Sequence, residues 1–139
     1  MEICTVGGYE RVGKNMTAVK IKDDVFIFDM GLDIPAMMEL QDENVPVYSE
    51  RQLRKAGAIP DDGVLDKLGW RKNVRAIIVG HAHLDHTGAV PWLAHRYPHA
   101  KILATPFTIE VIKTIARDEK KTVKNLISVK SNSSYSIKG

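Results

Sequence analysis

Six residues set the terms for this chain: His81-Ala82-His83-Leu84-Asp85-His86, directly after the apolar run Ala76-Ile77-Ile78-Val79-Gly80. A short apolar run closed by glycine reads as a buried strand of an α/β sheet. Three imidazoles and a carboxylate at its end form a donor set suited to zinc or a similar ion. Side chains of an extended segment alternate, so His81 and His83 would share one side and grip one ion. A turn at Leu84-Asp85 would aim Asp85 and His86 at a neighbouring point. Two metals roughly 3.5–4 Å apart are the usual clamp for hydrolytic displacement. The plain alternative is a polar loop whose histidines bind nothing, which leaves costly polar groups without partners.

Around that motif the chain alternates strands and helices. Residues 2–6 read as a strand closing at Gly7-Gly8, where positive φ carries little steric cost. Gly13-Lys14-Asn15 reads as a turn, 17–21 as a second strand and 25–28 as a third. The polar link Lys22-Asp23-Asp24 makes the last two an antiparallel hairpin. Asp29 follows the third strand directly. A carboxylate there suits either a turn or the free ring nitrogen of a liganding histidine, whose tautomer it would fix.

Residues 32–72 are the least regular stretch and read as an excursion across the surface. Within it 35–40 reads as a helical turn, with Met37 and Met38 as packing residues. Residues 49–55 read as a short helix stopped at Gly57, and Ile59-Pro60-Asp61-Asp62 as the start of another, capped by the aspartates. Residues 74–79 form the strand that delivers the motif. Thr87-Gly88 would open a helix over 89–96 with Pro91 in its first turn, its amino terminus turning partial positive charge toward an anionic substrate. Trp92 and Leu93 read as core, His95 and His99 as surface. After a strand at 101–104, Thr105 caps and Pro106 starts a helix whose body spans 107–120, with Ile109, Ile112 and Ile115 on one face. Residues 126–129 and 135–137 read as last strands around Ser131-Asn132-Ser133-Ser134.

Composition narrows the class. The 139 residues are 44% hydrophobic, enough for one modest domain, with no apolar stretch long enough to span a bilayer. No basic-then-apolar start marks a secretory signal, so a cytoplasmic chain without a membrane partner is expected. Cys4 is the one cysteine and reads as a small core residue. The net charge of +3 singles out no partner. Its distribution is uneven: residues 113–139 hold seven Lys or Arg against Asp118 and Glu119. A solvated helix face accounts for that segment better than a phosphate-binding one.

The run from His81 to His86 resembles the HxHxDH signature of the metallo-β-lactamase superfamily. The longer stretch Gly80 to Pro91 resembles its nucleic-acid-cleaving β-CASP branch. Val6-Gly7-Gly8-Tyr9-Glu10-Arg11-Val12-Gly13-Lys14-Asn15-Met16, Phe28-Asp29-Met30-Gly31 and Ala104-Thr105-Pro106-Phe107-Thr108-Ile109 resemble the opening of ribonuclease J, above all its archaeal form. The resemblance implies a zinc-dependent ribonuclease with two zinc ions per complete site and RNA as substrate, cutting from the 5′ end and also internally. His81, His83, Asp85 and His86 would be metal ligands, Asp85 would orient the attacking water, and Asp29 would support a liganding histidine. It also implies that residues 1–139 are the N-terminal portion of a metallo-β-lactamase domain, without the inserted β-CASP domain and the later metal motifs. The expected fold is α/β, about half of an αββα sandwich, with a mixed, mostly antiparallel sheet and helices on one face. One sheet face would then be left uncovered, so the chain is expected to form homo-oligomers or pair with the missing half. Two other readings stay open: a glyoxalase-type thioesterase, and a non-catalytic fragment that self-associates.

Overall fold

The computed structural model describes residues 1–40 and 47–137. Six strands form one sheet in sequence order. They are β1 (Glu2–Gly7), β2 (Met16–Ile21), β3 (Asp24–Phe28), β4 (Val74–Ile78), β5 (Lys101–Ala104) and β6 (Leu126–Ser128). β1, β2 and β3 run antiparallel, the last two as the expected hairpin, whereas β3/β4, β4/β5 and β5/β6 are parallel. The sheet is mixed as expected, but its parallel share exceeds the antiparallel one. Helices fill the three later connections, and a crossover helix returns the chain in the same direction.

Those helices are α1 (Ile34–Glu39), α2 (Glu50–Ala56), α3 (Gly63–Lys67), α4 (Leu84–Thr87), α5 (Val90–Leu93) and α6 (Pro106–Asp118), with 3₁₀ turns at Arg71–Asn73 and Ala94–Arg96. Local chemistry sets their ends. Ser49 and Gln52 form a reciprocal capping box on α2, and Gly57 closes it in the left-handed region at φ 72°. Thr105 caps α6 while Pro106 occupies its first turn.

Register divides the sheet into two faces. Cys4, Ala18, Ile27, Ile77, Ile102 and Leu126 lie across one row and point into the core with Leu53, Leu65, Trp92, Leu93 and Ile112 from the helices. Right-handed crossovers that step along the sheet in one direction stack their helices on that single side. The opposite face carries Ile3, Val19, Phe26, Phe28, Ile78, Leu103 and Ile127. No helix covers it among the described residues, and Ile3 and Phe28 are 60% and 42% exposed.

Several expectations need correction. Much of 32–72 is not a surface excursion, since Leu32, Leu53, Ala58, Ile59, Leu65 and Trp70 are buried; residues 41–46 of that stretch lie outside those described. Met37 packs on the core, but Met38 is exposed. Asp62 caps nothing: it is fully buried and accepts from Arg54 Nη2 at 2.7 Å, Arg96 Nε at 2.8 Å and the Tyr97 hydroxyl at 2.5 Å. Burial alone would raise its pKa, yet those three donors outweigh it and hold the carboxyl below the usual range. Residues 135–137 form no strand. Ser133 bonds the Lys130 carbonyl instead, the local competition that serines offer to a ladder.

Candidate metal centre

β3 and β4 are parallel neighbours, so their carboxyl ends lie side by side. The first delivers Asp29 and the second the histidine motif. Extended backbone ends at Ile78, earlier than the motif, and helical backbone begins at Leu84 with His83 as the residue before it. The expected alternation of 81, 83 and 85 therefore does not hold: Asp85 and His86 sit in the first turn of a helix. That helix is tied to the segment after Asp29. Met30 N donates to His86 O at 2.8 Å, Leu32 N to Leu84 O at 2.9 Å and Ala89 N to Met30 O at 2.9 Å.

These bonds also explain why no continuous helix runs over 89–96. The Ala89 amide is spent on Met30, so the ladder breaks, and α5 and a 3₁₀ turn follow separately. Thr87 closes α4 rather than opening the next helix. Its buried hydroxyl lies 3.2 Å from Ala82 O and 3.0 Å from His83 O, pinning the motif loop from behind. Two glycines permit the close approach. A Cβ on Gly31 would stand 1.6 Å from Asp85 O, and one on Gly88 would stand 2.6 Å from Leu32 Cδ1.

The donors gather at this edge. The His81 and His83 ring centroids are 4.1 Å apart and those of His81 and His86 5.2 Å, both edge-to-face. Asp85 Oδ2 lies 3.5 Å from His86 Nε2. Asp29, itself at φ 63°, places Oδ1 2.9 Å from Gly80 N and Oδ2 2.8 Å from His86 Nδ1. A carboxylate only accepts, so His86 carries its proton on Nδ1 and keeps the Nε2 lone pair free. An open groove of about 470 Å³ runs beside this edge, lined by Tyr9, Arg11, Asn15, Asp85 and His86. Among the described residues no three His, Cys, Asp or Glu converge as a finished cage. The donor chemistry fits two ions, each taking two ligands from this segment and the rest from elsewhere.

His95 and His99 are exposed and stand apart from this cluster; His95 lies 3.2 Å from Glu50. Asn15 was read only as part of a turn, yet it makes the closest side-chain contact to Asp85. Its Nδ2 is 2.9 Å from Asp85 O. No periodicity marks such a residue, because it acts across 70 positions of sequence.

The metallo-β-lactamase superfamily model matches residues 9–124, from the loop after β1 to just before β6. The chain belongs to the metallo-β-lactamase superfamily. Ribonuclease J of Methanocaldococcus jannaschii is 43% identical over 121 residues, 87% of this chain and 26% of that protein. Ribonuclease J of Pyrococcus abyssi is 44% identical over 119 residues, 86% of this chain and again 26% of the relative. The chain thus spans about a quarter of the length of these relatives. A solved class B3 metallo-β-lactamase with an active-site glutamic acid aligns over 97% of this chain and 45% of its own, with TM-score 0.58 and 16% identity. That likeness establishes the superfamily fold. Among the described residues no helix is long and apolar enough to cross a membrane.

Proposed function

We propose that this chain carries the metal-binding edge of a zinc-dependent ribonuclease of the ribonuclease J kind, which hydrolyses RNA phosphodiester bonds from the 5′ end and also internally, in the cytoplasm. His81 and His83 hold one ion, Asp85 and His86 the other. Zinc bound there supplies Lewis acidity toward a phosphoryl oxygen and lowers the pKa of water toward neutrality. The protein's own residues do the remainder. Asp29 holds the His86 ring in the tautomer that presents Nε2, and Asp85, on the wall of the open groove, orients the attacking water. One observation carries this reading: the fold brings Asp29 from one strand end onto His86 of the next, beside two further histidines. The 43% and 44% identities to two ribonuclease J proteins supply the substrate class.

On this reading residues 1–139 are the N-terminal portion of the metallo-β-lactamase domain, with the β-CASP insertion and the remaining ligands supplied by later segments. In the full-length protein His81→Ala should lower both zinc content and cleavage of 5′-monophosphorylated RNA, with RNA preferred to thioester and lactone substrates. Unchanged cleavage and zinc would refute the assignment, and thioester turnover without RNA cleavage would move it to the glyoxalase type. The uncovered apolar sheet face favours a second role for the 139-residue chain by itself, self-association. Light scattering tests it, and a monodisperse monomer would count against it.

A further inference from the structure

We infer that Asn15 is a positioning residue for the half-site made by Asp85 and His86, an inference that rests on the metal-centre reading above. The local geometry makes Asp85 depend on an outside partner. In a continuous helix the Asp85 carbonyl would accept from the amide four residues on, at position 89. Here the Ala89 amide donates to Met30 O instead, which leaves Asp85 O without a helical donor. Asn15 supplies two: its main-chain N at 3.1 Å and its side-chain Nδ2 at 2.9 Å. Both lone pairs of that carbonyl are thereby used by one residue. The same Nδ2 stands 3.5 Å from Asp85 Oδ2, so the amide flanks the liganding carboxylate as well as the backbone that carries it.

The other end of the Asn15 amide is wedged. Gly8 leaves room for it, since a Cβ at position 8 would stand 2.3 Å from Asn15 Oδ1 and 2.9 Å from Asn15 Cα. The loop after β1, the Asn15 amide and the first turn of α4 are packed in series. A carboxylate at position 15 would lack the donor, and a serine would be too short to span the gap. The fold itself does not lean on this side chain to the same degree, because Met30 and Leu32 hold α4 through their own main-chain bonds. Asn15 therefore acts on where Asp85 sits.

The test is a zinc titration of the full-length protein against a chromophoric chelator, for wild type, Asn15→Ala and Gly8→Ala, with thermal melting of the metal-free forms. Partners that orient metal ligands are typically worth about 10- to 100-fold in affinity. Both variants should weaken one of two zinc ions by about that factor while the other keeps its wild-type affinity, with folded metal-free chains. Unchanged affinity for both ions overturns the inference. So does a lower melting temperature with unchanged zinc affinity, or loss of the fold in both variants, since the contact would then be structural. If wild type itself takes up no zinc, the metal-centre reading fails first, a result distinct from a failure of Asn15 alone.

Discussion

Gly31→Ala is the sharpest perturbation of the scaffold behind the site. The new Cβ would lie 1.6 Å from Asp85 O and 2.2 Å from Asp85 C. Both are main-chain atoms, so no side chain can rotate away. Reaching the 3.0 Å floor of real Cβ contacts from 1.6 Å requires a shift of 1.4 Å between the segment after β3 and α4. That shift stretches Asn15 N to Asp85 O and Met30 N to His86 O. Overpacking costs about 1–3 kcal/mol and each weakened bond about 0.5–1.5, for a total of about 2–6 kcal/mol. For a domain of this size the melting temperature should fall by roughly 8–20 °C. Scanning calorimetry measures it, with zinc content determined on the same sample. Gly63→Ala is the control: its Cβ would meet only Asp61 Oδ1 at 3.3 Å, so stability should stay within about 0.5 kcal/mol. A Gly31→Ala chain with wild-type melting and zinc content would refute the close-approach reasoning.

Other residues give further expected outcomes. Asp62→Asn strips the buried acceptor shared by Arg54, Arg96 and Tyr97; because both arginines keep partial solvent contact, the cost should sit near the low end for a broken buried pair, about 3 kcal/mol by urea denaturation at pH 7. The Asp62 carboxyl titrates lower folded than unfolded, so its contribution is full above the unfolded value and fades as pH falls below about 4; the gap between wild type and variant should close there, and a gap that persists at pH 2 contradicts the sign. Asp29→Asn tolerates the left-handed backbone but removes the anionic acceptor from His86, so zinc affinity should drop about 10- to 100-fold with little change in melting. Ser49→Ala removes the capping box of α2 and should cost about 1 kcal/mol.

Much of the frame was legible because local chemistry set it. Polar or glycine turns bracket β1 to β5, and Thr105-Pro106 starts α6 for reasons contained in those two residues. Sequence could also place Asp29 at a strand end, beside whatever followed the next parallel strand. What it could not place depended on distant partners. The motif turns helical at His83 because Met30, Leu32 and Asn15 take its carbonyls. Asp62 looked like a cap because its three donors lie 8, 34 and 35 positions away. The parallel share of the sheet follows from how the long stretch between β3 and β4 folds back, which composition does not encode.

The central claim is that the edge formed by β3 and β4 holds divalent transition metal. Elemental analysis of the full-length protein, purified without chelator, tests it most directly. Two zinc ions per chain are expected, with the count falling in His81→Ala and in Asp85→Ala. Absence of any stoichiometric transition metal, with the fold intact, would contradict it.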